Sequence, residues 1–258
     1  MTTRFLIPTS AALFFGLSAL AGCPGDNDAL TQDDYDDVAV AVGSLVANPS
    51  GGESGSIDDS INLVKGTASA SKAVEGESAH ETYRRAGLTY EYVVDCVDAA
   101  GNVQSACDRA TTGAASIAVN WTGNLDLPAY QALVTRTGEW TLAGLQSATA
   151  ELSGAGSFDV ECHFQALYRP VMKDLVLSYN AQYQAVAIDM ATGRITGGTI
   201  RYQIDGQRSV RRGESDRDSE FSTVAEVTFD GSGSARLILD SSRSYTIDLA
   251  TGQVDEAE

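Results

Sequence analysis

Histidine and cysteine, two side chains that commonly act as general base and nucleophile, are scarce in this 258-residue sequence. There are two histidines, His80 and His163, and His163 directly follows Cys162. A thiol and an imidazole within hydrogen-bonding distance can act together in nucleophilic catalysis. However, alternating apolar residues around Cys162 predict a β-strand, in which adjacent side chains point to opposite faces. We therefore expect a core cysteine and a surface histidine, and His80 falls in a polar segment that we interpret as a linker.

One short segment has the spacing of a known catalytic motif. Ser69 and Lys72 match the Ser-x-x-Lys element of penicillin-binding enzymes. The partner Ser-Asp-Asn and Lys-Thr-Gly elements do not occur in the sequence. We therefore assign no catalytic residue and expect no enzymatic activity.

Two carboxylates occupy similar local sequences. Asp189 and Asp248 each end an apolar run and lie four residues before Gly193 and Gly252, respectively, with a Thr before each glycine. An Asp in such a position accepts hydrogen bonds from turn amides, and the glycine supplies a left-handed residue. We interpret both as turn residues, and a hydrolase that uses these carboxylates is an alternative hypothesis.

The densest acidic cluster comprises Asp33, Asp34, Asp36 and Asp37. Calcium prefers oxygen ligands, but its helix–loop–helix sites need a spaced acidic loop with a glycine and a distant Glu. This cluster lacks that spacing and fits the start of a helix, where acids are favourable. Zinc-type Cys/His spacing and Gly-rich phosphate loops are also missing from the sequence, so we expect no metal and no cofactor.

One region is locally basic. Arg208, Arg211, Arg212 and Arg217 alternate with acidic residues, and we expect a long polar hairpin loop here. Long loops on rigid sheets often carry recognition, so these arginines form a candidate site for an anionic partner.

The N-terminus has three consecutive parts, which are Arg4, an apolar run over residues 5–20, and Leu20-Ala21-Gly22-Cys23. The run contains Pro8 and is shorter than the ~20 residues that a membrane-spanning helix needs. A basic start, an apolar stretch and small residues are typical of a cleavable signal peptide. The final tetrapeptide resembles the lipobox of bacterial lipoprotein precursors.

This resemblance implies removal of residues 1–22 and attachment of diacylglycerol and an N-acyl chain, such as palmitate, to Cys23. Several acyl chains together would anchor the protein durably to a membrane. Pro24 follows Cys23, where inner-membrane lipoproteins commonly have Asp, so we expect the outer membrane rather than the inner.

Three cysteines are left once Cys23 is assigned to lipid attachment. Cys96 and Cys107 are symmetric about Gly101-Asn102, which would place them opposite each other if those two residues form a hairpin loop. Directly opposed strand residues are close enough for a disulfide. We predict a Cys96–Cys107 disulfide and an unpaired Cys162, with pairing of Cys162 to either of the others as the alternative.

The positions of apolar residues divide the chain into two parts. Helical spacing of Tyr35, Val38, Val42 and Leu45 predicts a first helix with a Thr31–Asp34 capping box, and residues 56–65 fit a second. From residue 88 onward the apolar residues alternate, and Gly-rich turns separate the runs, so roughly ten antiparallel strands are expected. We therefore predict a signal peptide (1–22), an acidic tether with short helices and a polar linker (23–86), and a mainly β domain (87–258). Its large antiparallel meander would form a curled sheet, a barrel-like structure or two layers.

The net charge of −18 would repel nucleic acid and anionic lipid, so lipid attachment is the expected link to the membrane and no nucleic-acid partner is expected. We expect a lipid-anchored cell-envelope protein with a non-enzymatic binding or structural role. An alternative is a carrier that shields an apolar ligand inside the curled sheet. The candidate lining residues are Tyr90, Tyr92, Phe158, Phe164, Tyr179 and Tyr183.

Overall fold

A computed structural model of the chain describes residues 30–47, 52–65, 79–85, 87–127, 130–165, 172–212 and 215–257. It confirms the mainly β fold, with one antiparallel meander sheet preceded by two short helices. The predicted signal peptide, Cys23 and Pro24 lie outside the described residues. No helix in the described part of the chain is long and apolar enough to span a membrane.

The first helix, α1 (Gln32–Val46), begins where the capping pattern predicts. The backbone N–H and the hydroxyl of Thr31 both donate to the Asp34 carboxylate, at 2.8 and 2.5 Å. The second helix, α2 (Glu53–Val64), starts three residues before the predicted Ser56. Gly52 precedes it, and a Cβ at this position would lie 2.0 Å from the Leu45 carbonyl oxygen. Only glycine therefore fits the tight connection between the helices.

Within the described residues, the sheet has eleven strands. They are β1 Ala79–Arg85, β2 Leu88–Asp98, β3 Thr112–Leu127, β4 Tyr130–Ala143, β5 Thr149–Gln165, β6 Met172–Asp189, β7 Ile195–Arg212, β8 Ser215–Phe229, β9 Ser234–Leu239, β10 Arg243–Asp248 and β11 Val254–Glu256. Each strand pairs with the next in chain order, from β1 at one edge to β11 at the other, so the sheet is open.

Alternation along the strands gives the sheet two different faces. The inner face carries the buried apolar residues, and both helices contribute to the same core. Helix α1 contacts β9 to β11, whereas α2 contacts β2 and β3. The outer face carries mostly exposed polar residues. The helices thus supply part of the cover that the apolar face of a large open sheet requires.

The predicted boundary at residue 87 is too late. Part of the segment interpreted as a linker forms β1, in which His80 pairs with Val93 of β2. The sequence of β1 is polar and lies at an edge of the sheet, so it lacks the apolar alternation that revealed the other strands. Helices α1 and α2 likewise belong to the common core rather than to a separate tether.

The predicted Arg-rich loop is also wrong. Strands β7 and β8 continue through this region as a long hairpin, in which Arg211 pairs with Asp216 and Arg212 with Ser215. Interleaved charges hid the strand period, although residues of opposite charge are favourable partners across antiparallel strands. The side chains of Arg211, Arg212 and Arg217 lie outside the described residues.

Candidate functional site

One row of large side chains crosses the centre of the inner face. From β2 to β6 its members are Tyr90, Trp121, Arg136, Phe158 and Tyr179, each paired with the next in the strand register. All five are at most 1% exposed. The ring centroids of Tyr90 and Trp121 lie 5.1 Å apart and those of Trp121 and Phe158 5.8 Å apart, in edge-to-face arrangements. A single cation therefore lies within a row of aromatic rings.

Aromatic faces surround the Arg136 guanidinium. Its central carbon lies 4.2 Å from the ring centroid of Trp121, 4.6 Å from that of Trp140 and 4.5 Å from that of Phe158. Cation–π contacts of this kind are stronger when the partners are removed from water. They offset part of the cost of burying the charge.

Glu53, at the start of α2, provides the counter-charge. Its carboxylate accepts a hydrogen bond from Arg136 Nη2 at 2.9 Å and one from the Tyr183 hydroxyl at 2.5 Å. The Tyr183 oxygen in turn accepts from Arg136 Nη2 at 2.5 Å. Both side chains of the ion pair have no exposed surface. This charged cluster, Glu53–Arg136–Tyr183, joins α2 to the sheet.

Burial raises the pKa of Glu53, and the Arg136 cation and the Tyr183 hydroxyl oppose that shift. Burial also raises the pKa of Tyr183 well above its ordinary value, so this hydroxyl stays protonated and can donate. For Arg136, burial lowers the pKa, but the Glu53 carboxylate reverses the effect and the net shift is upward. The guanidinium is therefore a permanent cation that needs its partner.

Two glycines make room for the cluster. Gly138 and Gly156 are register partners on β4 and β5. A Cβ on Gly138 would lie 3.3 Å from a Val119 methyl and 3.5 Å from Arg136 Nη2, and one on Gly156 would lie 3.5 Å from the Tyr183 hydroxyl. The small residues let the guanidinium lie close to the sheet.

Some polar atoms at this centre have no hydrogen-bond partner. Arg136 Nε and Nη1 and the indole nitrogens of Trp121 and Trp140 are buried without one in the described part of the chain. A buried donor without an acceptor is costly. Loss of the Glu53 carboxylate would therefore destabilise the fold more than loss of a typical surface contact.

The outer face carries a second ordered row, directly behind the first. From β1 to β7 its members are Thr82, Glu91, Asn120, Thr137, Ser157, Asn180 and Gln203, each paired with the next in the register and all exposed. The hydroxyls of Thr137 and Ser157 are hydrogen bonded at 2.9 Å. We call these seven residues the polar row.

A groove of about 860 Å³ lies over the polar row between β1 and β6. Small residues, including Ala118, Gly138, Ala155 and Gly156, line it together with Glu139 and Gln182. The two glycines line the groove with backbone atoms, and the side chains that they lack would point to the inner face, where the guanidinium lies. Hydroxyl, carboxamide and carboxylate groups in such a groove can bind a polar ligand through many hydrogen bonds.

Arg208 is the one predicted recognition arginine whose side chain is described. It forms an ion pair with Asp34 of the α1 capping box and donates from Nε to Ser219 Oγ at 3.0 Å. Burial would raise the pKa of Asp34, but the hydrogen bonds from Arg208 and Thr31 lower it below its ordinary value. Arg208 thus fastens α1 to the β7–β8 hairpin.

The two turn aspartates have the geometry that their sequences predict. The Asp189 carboxylate accepts from the amides of Ala191 and Thr192, and Asp248 accepts in the same way from Ala250 and Thr251. Gly193 and Gly252 have φ of 74° and 75°. Hydrogen bonds within the turns lower the pKa of both carboxyls. Both carboxylates are occupied in stabilising turns.

The acidic cluster predicted at residues 33–37 lies in helix α1. Asp36 accepts from Gln32 and from the Tyr245 hydroxyl, both at 2.8 Å. Asp34 is held in the capping box described above, and Asp33 lies in the first turn of the helix. No group of potential metal ligands occurs among the residues described.

The sulfur atoms of Cys96 and Cys107 lie 2.01 Å apart, at disulfide distance. However, the two-residue hairpin loop at Gly101-Asn102, from which this pairing was predicted, does not form. A tight turn closes over 98–102, with Val97 bridged to Val103, and Cys96 pairs with Ala115 of β3. Cys107 instead lies in the loop before β3, and this loop folds back over the end of β2.

Five of the predicted carrier-lining side chains, namely Tyr90, Tyr92, Phe158, Tyr179 and Tyr183, are buried in the core. Cys162, His163 and Phe164 lie in β5, but their side chains are outside the described residues. The groove lies on the opposite face of the sheet from the aromatic row. The aromatic residues thus pack with the helices.

Sequence reasoning missed Glu53 and Arg136. The signal for Arg136 is present, because Val134, Trp140 and Leu142 alternate inward along β4 and Arg136 has the same parity. The signal for Glu53 is weak, since an acid at a helix N-terminus is ordinarily exposed. The polar row required the strand register, which the sequence pattern does not supply.

Comparison with known proteins found no matching family model, no matching curated protein and no matching solved structure.

Proposed function

We propose that this chain is a lipid-anchored cell-envelope protein that binds a partner, without catalysis, through the outer face of its sheet. The observation that carries the proposal is the groove over the polar row, which combines regularly spaced hydrogen-bonding groups with an open surface. The inner face is filled by the buried core, which includes the aromatic row, and α1 and α2 pack against this face. The outer face is therefore the surface at which a partner has access to polar groups.

Membrane attachment rests on Leu20-Ala21-Gly22-Cys23. The full chain, produced in a bacterial host fed an alkyne-tagged palmitate, is expected to carry the label and to fractionate with membranes. Cys23→Ser should abolish both, whereas the matched Cys162→Ser variant should keep both. Equal labelling of the Cys23→Ser variant would contradict the anchor.

The binding surface can be tested in the same cells. A photoreactive benzophenone residue at Thr137, in the groove, is expected to form a crosslinked adduct under illumination. The control position is Thr246, which is also exposed but lies on β10, away from the groove. Equal adducts from both positions, or none from Thr137, would refute the outer face as the binding surface.

A further inference from the structure

We propose that the groove binds an uncharged β-1,4-linked oligosaccharide that runs across the strands. This inference rests on the proposed function, because it names the ligand class of the same outer face. It draws on the spacing, the chemistry and the charge of the residues that line the groove.

The spacing of the polar row suits a polymer with a short repeat. Adjacent strands are ~4.8 Å apart, so the row presents one side chain at about that interval. The rise per sugar of an extended β-1,4-linked glycan is close to this strand spacing. From β1 to β6 the groove spans five strand intervals, or roughly 24 Å, which accommodates about five sugars.

A second outer row extends the array. Thr89, Thr122, Thr135, Asp159, Ser178 and Asp205 are successive register partners from β2 to β7. They lie two residues along each strand from the polar row, at ~7 Å. The Ser178 hydroxyl donates to Asp159 at 2.7 Å. None of these six residues lines the groove itself, so this second row borders the groove on the side of the polar row opposite to Glu139 and Gln182.

The chemistry of the lining favours hydroxyl-rich ligands. Asn120, Asn180 and Gln182 each offer both a donor and an acceptor, and Thr137 and Ser157 offer hydroxyls. A sugar hydroxyl likewise donates and accepts, so every hydroxyl of the ligand can form hydrogen bonds with such side chains. An apolar ligand would leave these groups without partners, which is costly.

The charge of the groove restricts the class of ligand further. Glu91 and Glu139 line the groove, and no Lys or Arg does so among the described residues. The chain as a whole has a net charge of −18. Acidic polysaccharides and nucleic acids would be repelled, whereas carboxylates accept hydrogen bonds from neutral sugars.

The test is calorimetric titration of the folded Cys23→Ser chain with chitopentaose, a neutral β-1,4-linked pentasaccharide. Saturable binding is expected. The double variant Asn120→Ala/Asn180→Ala should weaken it at least about tenfold, since it removes two amides that pair with the ligand. The matched control Thr228→Ala/Thr246→Ala, on β8 and β10, should bind within about twofold of the unsubstituted chain.

Two further ligands test the proposed selectivity. The α-1,4-linked maltopentaose, which coils, and an acidic pentagalacturonate are both expected to bind at least tenfold more weakly than chitopentaose. Absence of saturable binding, equal binding of maltopentaose, or unchanged binding by the Asn120/Asn180 variant would overturn the inference. Crosslinking from Thr137 in cells would then still decide separately whether the outer face binds something else.

Discussion

An ion pair with no exposed surface holds the second helix to the sheet. Glu53 is the only carboxylate bonded to Arg136 in the described part of the chain, and Tyr183 bridges the two. Removing one member of a buried pair leaves the other charge without compensation, which costs more than the intact pair contributes. The pair therefore specifies where α2 sits, rather than simply adding stability.

We expect Glu53→Gln and Arg136→Met each to lower the free energy of unfolding by about 3–5 kcal/mol, because each leaves one partner of a buried pair alone. The double variant should lose less than the sum of the two. Urea denaturation followed by circular dichroism measures all three. Arg236→Met, on the exposed side of β9, is the matched control and should change stability by no more than about 0.5 kcal/mol. Strict additivity of the two substitutions would argue against direct coupling.

Sequence reasoning was weakest at the scale of single residues. Alternation of apolar and polar residues predicted that Tyr90, Tyr92 and Phe158 share one buried face, because large apolar residues on a half-buried strand point toward the core. The same alternation places Arg136 inside, but composition argues against it, since arginine is rarely buried without a partner. Its partner Glu53 is 83 residues away in the chain, and no local pattern links the two.

At the level of elements, two similar hairpin turns join β6 to β7 and β10 to β11. In each, an aspartate accepts from two turn amides, and a glycine four residues later has positive φ. Local sequence was sufficient to predict this geometry, because the Asp, the Thr and the Gly each have a defined role in the turn. The charged β7–β8 hairpin and the polar edge strand β1 were missed because their period is masked by polar residues on both faces.

These turns should make stability depend on pH in the acid range. Hydrogen bonds hold the pKa of Asp189 and Asp248 below the ordinary value of 3.8. A lowered pKa in the folded state contributes stability that is present above the ordinary pKa and is lost as the pH falls through the folded one. The double variant Asp189→Asn/Asp248→Asn should be less stable than the unsubstituted chain at pH 7, and the difference should vanish at about pH 2.

Chemical denaturation at a series of pH values from 2 to 7 measures this effect. Ser222→Ala, which removes an exposed hydroxyl and no titrating group, is the control and should give a curve parallel to that of the unsubstituted chain. A constant difference between the Asn variant and the unsubstituted chain across this range would contradict the assigned role of the carboxylates.

At the scale of the whole molecule, the open sheet and helices α1 and α2 share a single core in the part of the chain that the structure describes. The predicted meander and the two preceding helices are confirmed. They could be predicted because the spacing of apolar residues and the residues of the turns act locally along the chain. The placement of the helices on the inner face could not be predicted, since it depends on which strands the apolar side of each helix contacts. The outer groove depends likewise on the register of six strands.

The loop after β2 is fastened to the sheet through Cys96 and Cys107, which are 11 residues apart in the chain. A crosslink that closes a loop of this size contributes roughly 3 kcal/mol when it restricts the unfolded chain. Cys96→Ser/Cys107→Ser should therefore lower the free energy of unfolding by about that amount, and reduction should affect only the unsubstituted chain. Peptide mapping without reduction is expected to show the Cys96–Cys107 crosslink, and a crosslink that contains Cys162 would refute the assignment.

Helix α1 precedes every strand in the chain, yet it packs against the last three strands. Its Tyr35 donates to Asp240 of the β9–β10 turn, and Gln32 reaches Tyr245 of β10. When the chain emerges from its N-terminal end during synthesis, the meander can form hairpin by hairpin, but α1 has no docking site until β9 to β11 have emerged. Helix α1 thus stays undocked while most of the sheet is already forming. The core is complete only when β9 to β11 have formed and α1 has docked on them. A chain truncated before β9 would therefore leave α1 undocked and exposed to proteases.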